Sequence, residues 1–263
     1  MKTIRFCGLP ITVFGNESLK DSLLEILEGN KTTAFHGYSI DVLNLMKVIP
    51  ELYELREIND YFVCDGRGYY YFLKLLGVKG IRKTSLPNLV LQLIDICSDY
   101  DKKLFLLGAT KESNAQAIAN LANINGVKRV DGRNGYFTKE DEEDIVKEIN
   151  ESNSDVLFLG MSTPKKDEFV YRYKDKLNVK IIVHCGGMID VISGKTKLYP
   201  KLIKDLCLAG VYRFLQEPRR LSRDFLNVFP SAAIAFKMLW STRILRTEYD
   251  YPGKVIGKIL PKP

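Results

Sequence analysis

Lys103-Leu104-Phe105-Leu106-Leu107-Gly108-Ala109-Thr110 runs straight into the amphipathic stretch Glu112 to Asn123, and this change of period recurs down the middle of the chain. Val127 to Val130, Asp155 to Leu159 and Val179 to Val183 are further short apolar runs, while Lys139 to Glu151 and Pro164 to Lys176 repeat apolar residues at helical spacing. The first kind reads as strand and the second as helix. Strands and helices alternating at this distance predict right-handed βαβ units and a mostly parallel sheet covered by helices on both faces. Two earlier runs, Thr32 to Phe35 and Tyr61 to Cys64, extend the pattern towards the N-terminus. The expected fold is therefore α/β and Rossmann-like, spanning residues 1–195, with a basic helical appendage over 196–263.

The appendage is set apart by charge. Residues 197–263 carry 13 Lys/Arg and 5 Asp/Glu, a balance of +8 against +7 for the whole chain, so the rest is close to neutral. Arg219, Arg220 and Arg223 precede the apolar run from Phe225 to Trp240, and Arg243 and Arg246 follow it. Cations flanking apolar side chains suit an anionic membrane surface, each being worth about 1 kcal/mol there. An amphipathic core helix with a solvated basic face fits the same segment.

Composition excludes several classes. No apolar stretch reaches the ~18 residues of a membrane span, and the first residues lack a signal peptide's apolar run, so a cytoplasmic protein is expected, peripheral on the inner face of the plasma membrane. Five widely spaced cysteines without a Cys-x-x-Cys, and only two histidines, predict neither a disulfide framework nor a structural zinc. No His/Cys cluster offers a catalytic metal site, and neither a Gly-x-Gly-x-x-Gly nor a Walker loop indicates a nucleotide cofactor. No nucleic-acid-binding signature accompanies the basic balance. An oligomer of identical chains is compatible with the sequence.

Glycines end three of the predicted strands, at Gly108, Gly160 and Gly186-Gly187. In an open α/β sheet the carboxyl ends of the strands form the ligand crevice, and together these glycines favour a phosphate-bearing ligand there. In Gly160-Met161-Ser162-Thr163-Pro164-Lys165-Lys166-Asp167, Ser162 or Thr163 is expected to cap a helix whose amino end faces the crevice, with Lys165 and Lys166 as donors to a diphosphate. Asp65, at the end of the strand Tyr61 to Cys64, faces the same crevice. There it can take a proton from a sugar hydroxyl, or simply cap a turn with Gly66. Gly187 to Gly194 adds small residues and Asp190, and Tyr212 to Leu221 adds arginines suited to bidentate phosphate contacts. His36 reads equally as a ligand contact or a satisfied strand-end histidine. His184, within an apolar strand, and the aromatics Tyr69-Tyr70-Tyr71-Phe72 read as packing.

The order of these motifs resembles the WecG/TagA/CpsF glycosyltransferase family over roughly residues 4–225. Gly8-Leu9-Pro10-Ile11, Asp65-Gly66-x-Gly68, Phe105 to Gly108, Gly132-Arg133-Asn134-Gly135-Tyr136-Phe137, Gly160 to Lys165, Gly187 to Gly194 and Tyr212-Arg213 to Arg220 carry the resemblance. It implies an inverting, metal-independent transferase moving an N-acetylmannosamine-type sugar from a UDP-sugar donor to a polyprenyl-diphosphate-linked sugar, in surface polysaccharide or teichoic acid synthesis. It further implies Asp65 as general base and Arg82 as a second catalytic residue. Gly108, Gly135, Tyr136, Phe137, Gly160, Ser162, Pro164, Lys165, Lys166, Asp167, Gly187 and Asp190 would lie around the donor. Arg213, Arg219 and Arg220 would meet the acceptor diphosphate at the membrane. The chain departs from the family pattern at several positions. Pro-Lys-Gln-Glu becomes Pro164-Lys165-Lys166-Asp167, and Arg-Ala-Pro becomes Leu198-Tyr199-Pro200. Glu-Trp becomes Ala209-Gly210, and Thr-x-Asn is matched by Ala34-Phe35-His36. These changes point to an altered sugar specificity; the alternative is a catalytically decayed, membrane-associated scaffold of the same fold.

Overall fold

A computed structural model describes residues 1–123, 126–197, 221–244 and 246, with the backbone alone for 221–228. Leu198, Tyr199, Ala209, Gly210, Arg213, Arg219 and Arg220 lie outside the described residues. The chain opens with an antiparallel hairpin, β1 (Lys2–Phe6) and β2 (Leu9–Val13), in which Ile4 faces Ile11. Then follow α1 (Leu19–Glu28), β3 (Thr33–Tyr38), α2 (Val42–Val48), α3 (Glu51–Glu57), β4 (Tyr61–Cys64), α4 (Arg67–Leu76) and α5 (Leu86–Asp99). The second half contributes β5 (Leu104–Gly108), α6 (Lys111–Asn123), β6 (Val130–Arg133), α7 (Glu142–Glu151), β7 (Val156–Gly160), α8 (Lys165–Tyr173), β8 (Ile181–His184) and α9 (Met188–Ile192). A last helix, α10 (Leu221–Leu239), continues as a π-turn over Trp240–Ile244.

Six strands form one sheet in the order β4-β3-β8-β7-β5-β6, and every pairing in it is parallel. Its central strands are apolar on both sides. Leu104 and Leu106 of β5, with Val156 and Phe158 of β7, join the core under α1, α5 and α6. Their neighbours Phe105, Leu107, Leu157 and Leu159 join the core under α7 and α8. Successive strand residues point to opposite faces, so a fully covered sheet needs a continuous apolar run, as these strands have. A third core gathers the hairpin, α2, α3, α4 and α10.

Two expected boundaries move. Val127 to Val130 was expected as a strand, but Gly126 takes φ +70° and the Val127 amide closes back onto the Leu121 carbonyl. Val127 thus belongs to the end of α6, and β6 starts at Val130 as an edge strand with little buried surface. The helix expected over Pro164 to Lys176 splits into α8 and a 3₁₀ turn, Lys174–Lys176.

The described part of the basic appendage packs onto the rest of the protein. α10 lies against α2 and α4, burying Ser231, Ala235 and Met238. Ser231 Oγ accepts from the Asn44 amide at 3.2 Å and donates to the Asp41 carbonyl at 3.4 Å. Arg243 Nε donates to the Leu75 carbonyl at 2.6 Å. The opposite side of α10 and its π-turn exposes Phe229, Phe236, Trp240 and Ile244, each at least 49 % accessible. Their spacing of 7, 4 and 4 residues places them on one stripe.

Candidate active site

The carboxyl ends of β3, β4 and β8 enclose a cavity of about 170 Å³. His36 and Gly37 come from β3, Asp65 from the residue after β4, Cys185, Gly186 and Gly187 from the residues after β8, Thr163 and Lys166 from the entry to α8, and Arg56 from α3. Asp41, Val42 and Leu45 at the start of α2, with Leu86 and Pro87 at the start of α5, close its sides. Two wider depressions, of about 550 and 540 Å³, lie on the α7–α8 flank and at the amino end of the sheet, away from the strands' carboxyl ends.

Asp65 is held at its place by backbone. Its amide donates to the Tyr38 carbonyl at 2.8 Å, continuing the β3–β4 ladder. Its Oδ1 accepts from the Leu86 amide at 3.2 Å, the first amide of α5. Gly66 follows at φ +91°, a conformation that glycine reaches without a Cβ clash, so the chain turns into α4 and leaves the carboxylate half-buried on the cavity wall. Gly37 makes the close approach possible: a Cβ there would lie 2.4 Å from Leu86 and 3.2 Å from Asp65. An acid presented this way can accept a proton from a bound hydroxyl.

Beneath the cavity lies a buried ionic cluster that sequence reasoning missed. Asp167, fully buried, accepts at Oδ1 from Arg56 Nε and from His36 Nε2, each at 3.0 Å. Burial alone pushes the Asp167 carboxyl up, but the Arg56 guanidinium and His36 outweigh it and hold it well below the usual carboxylate range. Burial, with Arg56 as neighbour, lowers His36 to about 4. Burial, with His36 as neighbour, also drives His184 well below its ordinary value; the two rings stack at 4.4 Å. The Asn59 amide fixes the His184 tautomer. Its Nδ2 donates to the Arg56 carbonyl at 3.0 Å, so its Oδ1 faces His184 Nε2 at 3.0 Å, which therefore carries the proton. His184 Nδ1 and Asp167 Oδ2 are left buried without partners.

His36, Asp167 and His184 bring ligand-type atoms within 4.8 Å of one another. The single negative charge among them is already matched by Arg56, with Lys166 as a further nearby cation, so the cluster's charge is unsuited to a divalent metal. Cys185, whose thiol burial pushes up to about 12, stays protonated and is a poor nucleophile.

The two adjacent lysines diverge. Lys165 donates to the carbonyls of Gly135 at 3.1 Å and Phe137 at 2.6 Å, and lies 3.5 Å over the Phe137 ring. It clamps the β6–α7 loop. Lys166 turns the other way into the cavity. Neither Ser162 nor Thr163 caps α8 as expected: the cap position is Pro164, after a cis Thr163–Pro164 bond, and no side chain bonds the first turn.

The glycines divide likewise. Gly108, at φ +153°, pairs with Gly160 across β5 and β7, and a Cβ on it would lie 2.6 Å from the Gly160 backbone. A Cβ on Gly160 would meet the Ile189 side chain at 2.6 Å and one on Gly135 the Gly108 backbone at 3.1 Å, so of the three it is Gly108 that close backbone packing requires. Gly187 faces open space in the cavity. Tyr136 is 78 % exposed on its loop. Arg82 and Asp190 stand apart from the cavity lining. Arg82 donates to the Gly15 carbonyl and lies over Phe14, while Asp190 sits 3.6 Å from the Lys195 ammonium.

Residues 4–245 match the family model described as "Glycosyl transferase WecG/TagA/CpsF family". An N-acetylglucosaminyldiphosphoundecaprenol N-acetyl-beta-D-mannosaminyltransferase of Staphylococcus aureus is 26 % identical over 223 residues, covering 81 % of this chain and 87 % of its own. The protein of the same name from Bacillus spizizenii is 27 % identical over 165 residues, 62 % of this chain and 63 % of its own.

Proposed function

Since the chain belongs to the WecG/TagA/CpsF family of glycosyl transferases, we propose that it moves an N-acetylmannosamine-type sugar from a UDP-sugar to a polyprenyl-diphosphate-linked sugar. The observation that carries this reading is Asp65, fixed by the Leu86 amide on the wall of a cavity at the carboxyl ends of parallel strands. The names of the relatives supply the acceptor class, a sugar on a lipid diphosphate.

The reaction is a single displacement with inversion. The acceptor hydroxyl attacks the anomeric carbon, Asp65 takes its proton, and the bond to the UDP oxygen breaks on the opposite face, leaving UDP as the other product. No metal ion is required in this scheme. α10 has two roles. Ser231 braces the turn at Asp41, one wall of the cavity, while the outward stripe of Phe229, Phe236, Trp240 and Ile244 rests on an anionic bilayer. Among the described residues no helix is long and apolar enough to cross a membrane, and contact through such a stripe needs none. The acceptor's lipid tail then stays in the inner leaflet of the plasma membrane while its sugar enters the cavity.

The test is transfer from UDP-N-acetylmannosamine and related donors to a short-chain polyprenyl-diphosphate N-acetylglucosamine. Asp65→Asn should lower turnover by roughly two to four orders of magnitude while UDP still binds, and the wild-type rate should survive EDTA. Unchanged turnover in the variant removes Asp65 from the mechanism. Absence of both transfer and UDP binding in the wild type removes the reading.

A further inference from the structure

The near-neutral balance of the chain outside the appendage conceals one strongly basic stretch. Residues 66–94 carry Arg67, Lys74, Lys79, Arg82 and Lys83 and not one Asp or Glu. They form α4, the loop after it and the first turns of α5. The aromatic run on α4 divides between inside and outside. Tyr69 and Phe72 are buried in the third core, whereas Tyr70 is half-buried and Tyr71 and Leu75 stand 48 % and 60 % exposed. Lys83 lies over both outer rings, 5.0 Å from the centre of Tyr71 and 5.7 Å from that of Tyr70, and donates to the Tyr71 hydroxyl at 3.1 Å. Lys74 also lies over the Tyr70 ring, at 5.8 Å. No ion pair holds Lys74, Lys79 or Lys83 among the described residues.

This face adjoins the outward stripe of α10. Arg243, in the turn that carries Trp240 and Ile244, donates to the Leu75 carbonyl, and its guanidinium lies against Gly77. Large apolar side chains exposed singly are ordinary, but apolar groups gathered on one side of a protein and ringed by cations mark a partner. Three partners suit cations beside aromatic rings: an anionic bilayer, a single-stranded nucleic acid and a second copy of this chain. The bilayer fits best. A nucleic acid stacks its bases on open aromatic faces, whereas lysines cover Tyr70 and Tyr71 here, and Leu75 and Ile244 offer nothing to a base or a phosphate. A second copy related by a two-fold axis would set this acid-free surface against itself, like charge against like. Tyrosine rings at the headgroup level, with lysine stems passing them to reach the phosphates, match a bilayer surface.

Resting on the membrane contact proposed for α10, we propose that α4 and the loop from Gly77 to Lys83 form a second bilayer-binding surface outside the appendage. Tyr71 and Leu75 enter the headgroup boundary, and Lys74, Lys79 and Lys83 meet anionic lipid phosphates. α4 begins two residues after Asp65, so Tyr71 and Leu75 stand roughly 6 and 12 Å along a helix that starts at the cavity wall. A single amphipathic helix leaves a protein free to roll about the helix axis on the membrane. Contact by α4 as well removes that freedom and holds the cavity at a fixed height above the lipid.

The experiment measures sedimentation of the full chain with phosphatidylglycerol and phosphatidylcholine vesicles at low salt. Each lysine near an anionic surface is worth about fivefold in partitioning. Replacing Lys74, Lys79 and Lys83 together by glutamine should therefore weaken binding to phosphatidylglycerol tenfold or more, with Tm unchanged because all three are exposed, while arginine at the same positions should keep it. Contact is read directly by moving the single tryptophan. With Trp240→Phe in place, Tyr71→Trp should be quenched by lipids brominated on their acyl chains. A Tyr71→Trp chain that is not quenched, while Trp240 of the unaltered protein is, overturns the proposal and leaves the α10 contact standing. Equal partitioning of the glutamine variant and the wild type overturns it in the same way. A wild type indifferent to anionic vesicles ends both. Tighter binding of single-stranded RNA than of vesicles, lost in the glutamine variant, assigns the surface to nucleic acid. A lipid-free dimer in analytical ultracentrifugation that Leu75→Asp disrupts assigns it to a second copy, and either result overturns the proposal.

Discussion

Acidification from pH 7 to pH 5 should destabilise this protein through its only two histidines, both buried in one cluster. In the unfolded chain each takes up a proton near pH 6.5, whereas His36 in the folded protein resists protonation down to about 4. Folded pKa values below unfolded ones mean that the unfolded state binds more protons in this window, so stability falls as the pH falls. For His36 the loss between pH 7 and pH 5 is about 1.8 kcal/mol, and a histidine that never protonates when folded can lose at most about 1.9 kcal/mol over the same interval. His184 acts with the same sign, so the two together remove between about 1.8 and 3.7 kcal/mol. Asp167 stays out of this window. Its depressed carboxyl gives up its contribution only as pH falls below the ordinary carboxylate value towards its own. Urea unfolding followed by tryptophan fluorescence and circular dichroism should show the midpoint dropping by about 0.6–1.2 M, for a slope near 3 kcal/mol/M. One feature of the cluster opposes this: His36 Nδ1 lies 3.0 Å from the Gly37 carbonyl while Nε2 faces Asp167, contacts that an imidazolium would satisfy together. If they outweighed burial and Arg56, the folded pKa would lie above 6.5 and stability would rise on acidification. A flat or rising midpoint therefore refutes the neutral assignment, and His36→Asn should remove half or more of the pH dependence.

Asp167→Asn leaves the buried Arg56 guanidinium uncompensated and should cost about 3–5 kcal/mol, lowering Tm by roughly 10 °C or more; Arg56→Met with Asp167→Leu should recover most of it, and a loss below about 1 kcal/mol would contradict the buried pair. Gly108→Ala drives a Cβ into the Gly160 backbone at a positive φ and should destabilise by about 2 kcal/mol or more, while Gly187→Ala, with open space around it, should stay within about 1 kcal/mol in the same thermal melt. Replacing Phe236 and Trp240 together by serine should reduce pelleting with anionic vesicles without lowering Tm, because both are exposed; indifference of the wild type to lipid charge and salt would argue against a membrane role.

The parallel sheet was legible in the sequence because periodicity is a local property. Leu104 to Leu107 and Val156 to Leu159 are apolar at every position, and only a strand covered on both faces uses such a run. The place of Asp65 followed from the same logic, since a residue directly after a buried strand must emerge at the sheet's carboxyl edge. α5 also had its signal in Ser85-Leu86-Pro87, a cap whose hydroxyl accepts from the Asn88 amide and a proline in the first turn. Other features depend on residues far apart in the chain. Asp167 reads as an acid at a helix start, and only the packing of α3 and β3 beside α8 sets Arg56 and His36 against it and buries all three. Lys165 and Lys166 are indistinguishable as neighbours in sequence. Helical rotation of about 100° per residue turns one to the Gly135–Phe137 loop and the other to the cavity, and which neighbour each meets is fixed by the tertiary fold. The basic segment likewise carries apolar residues enough for either a core or a membrane. Docking of Ser231, Ala235 and Met238 against α2 assigned one side of α10 to the core and left Phe236 and Trp240 facing outward, because a helix can bury only the face its neighbour reaches.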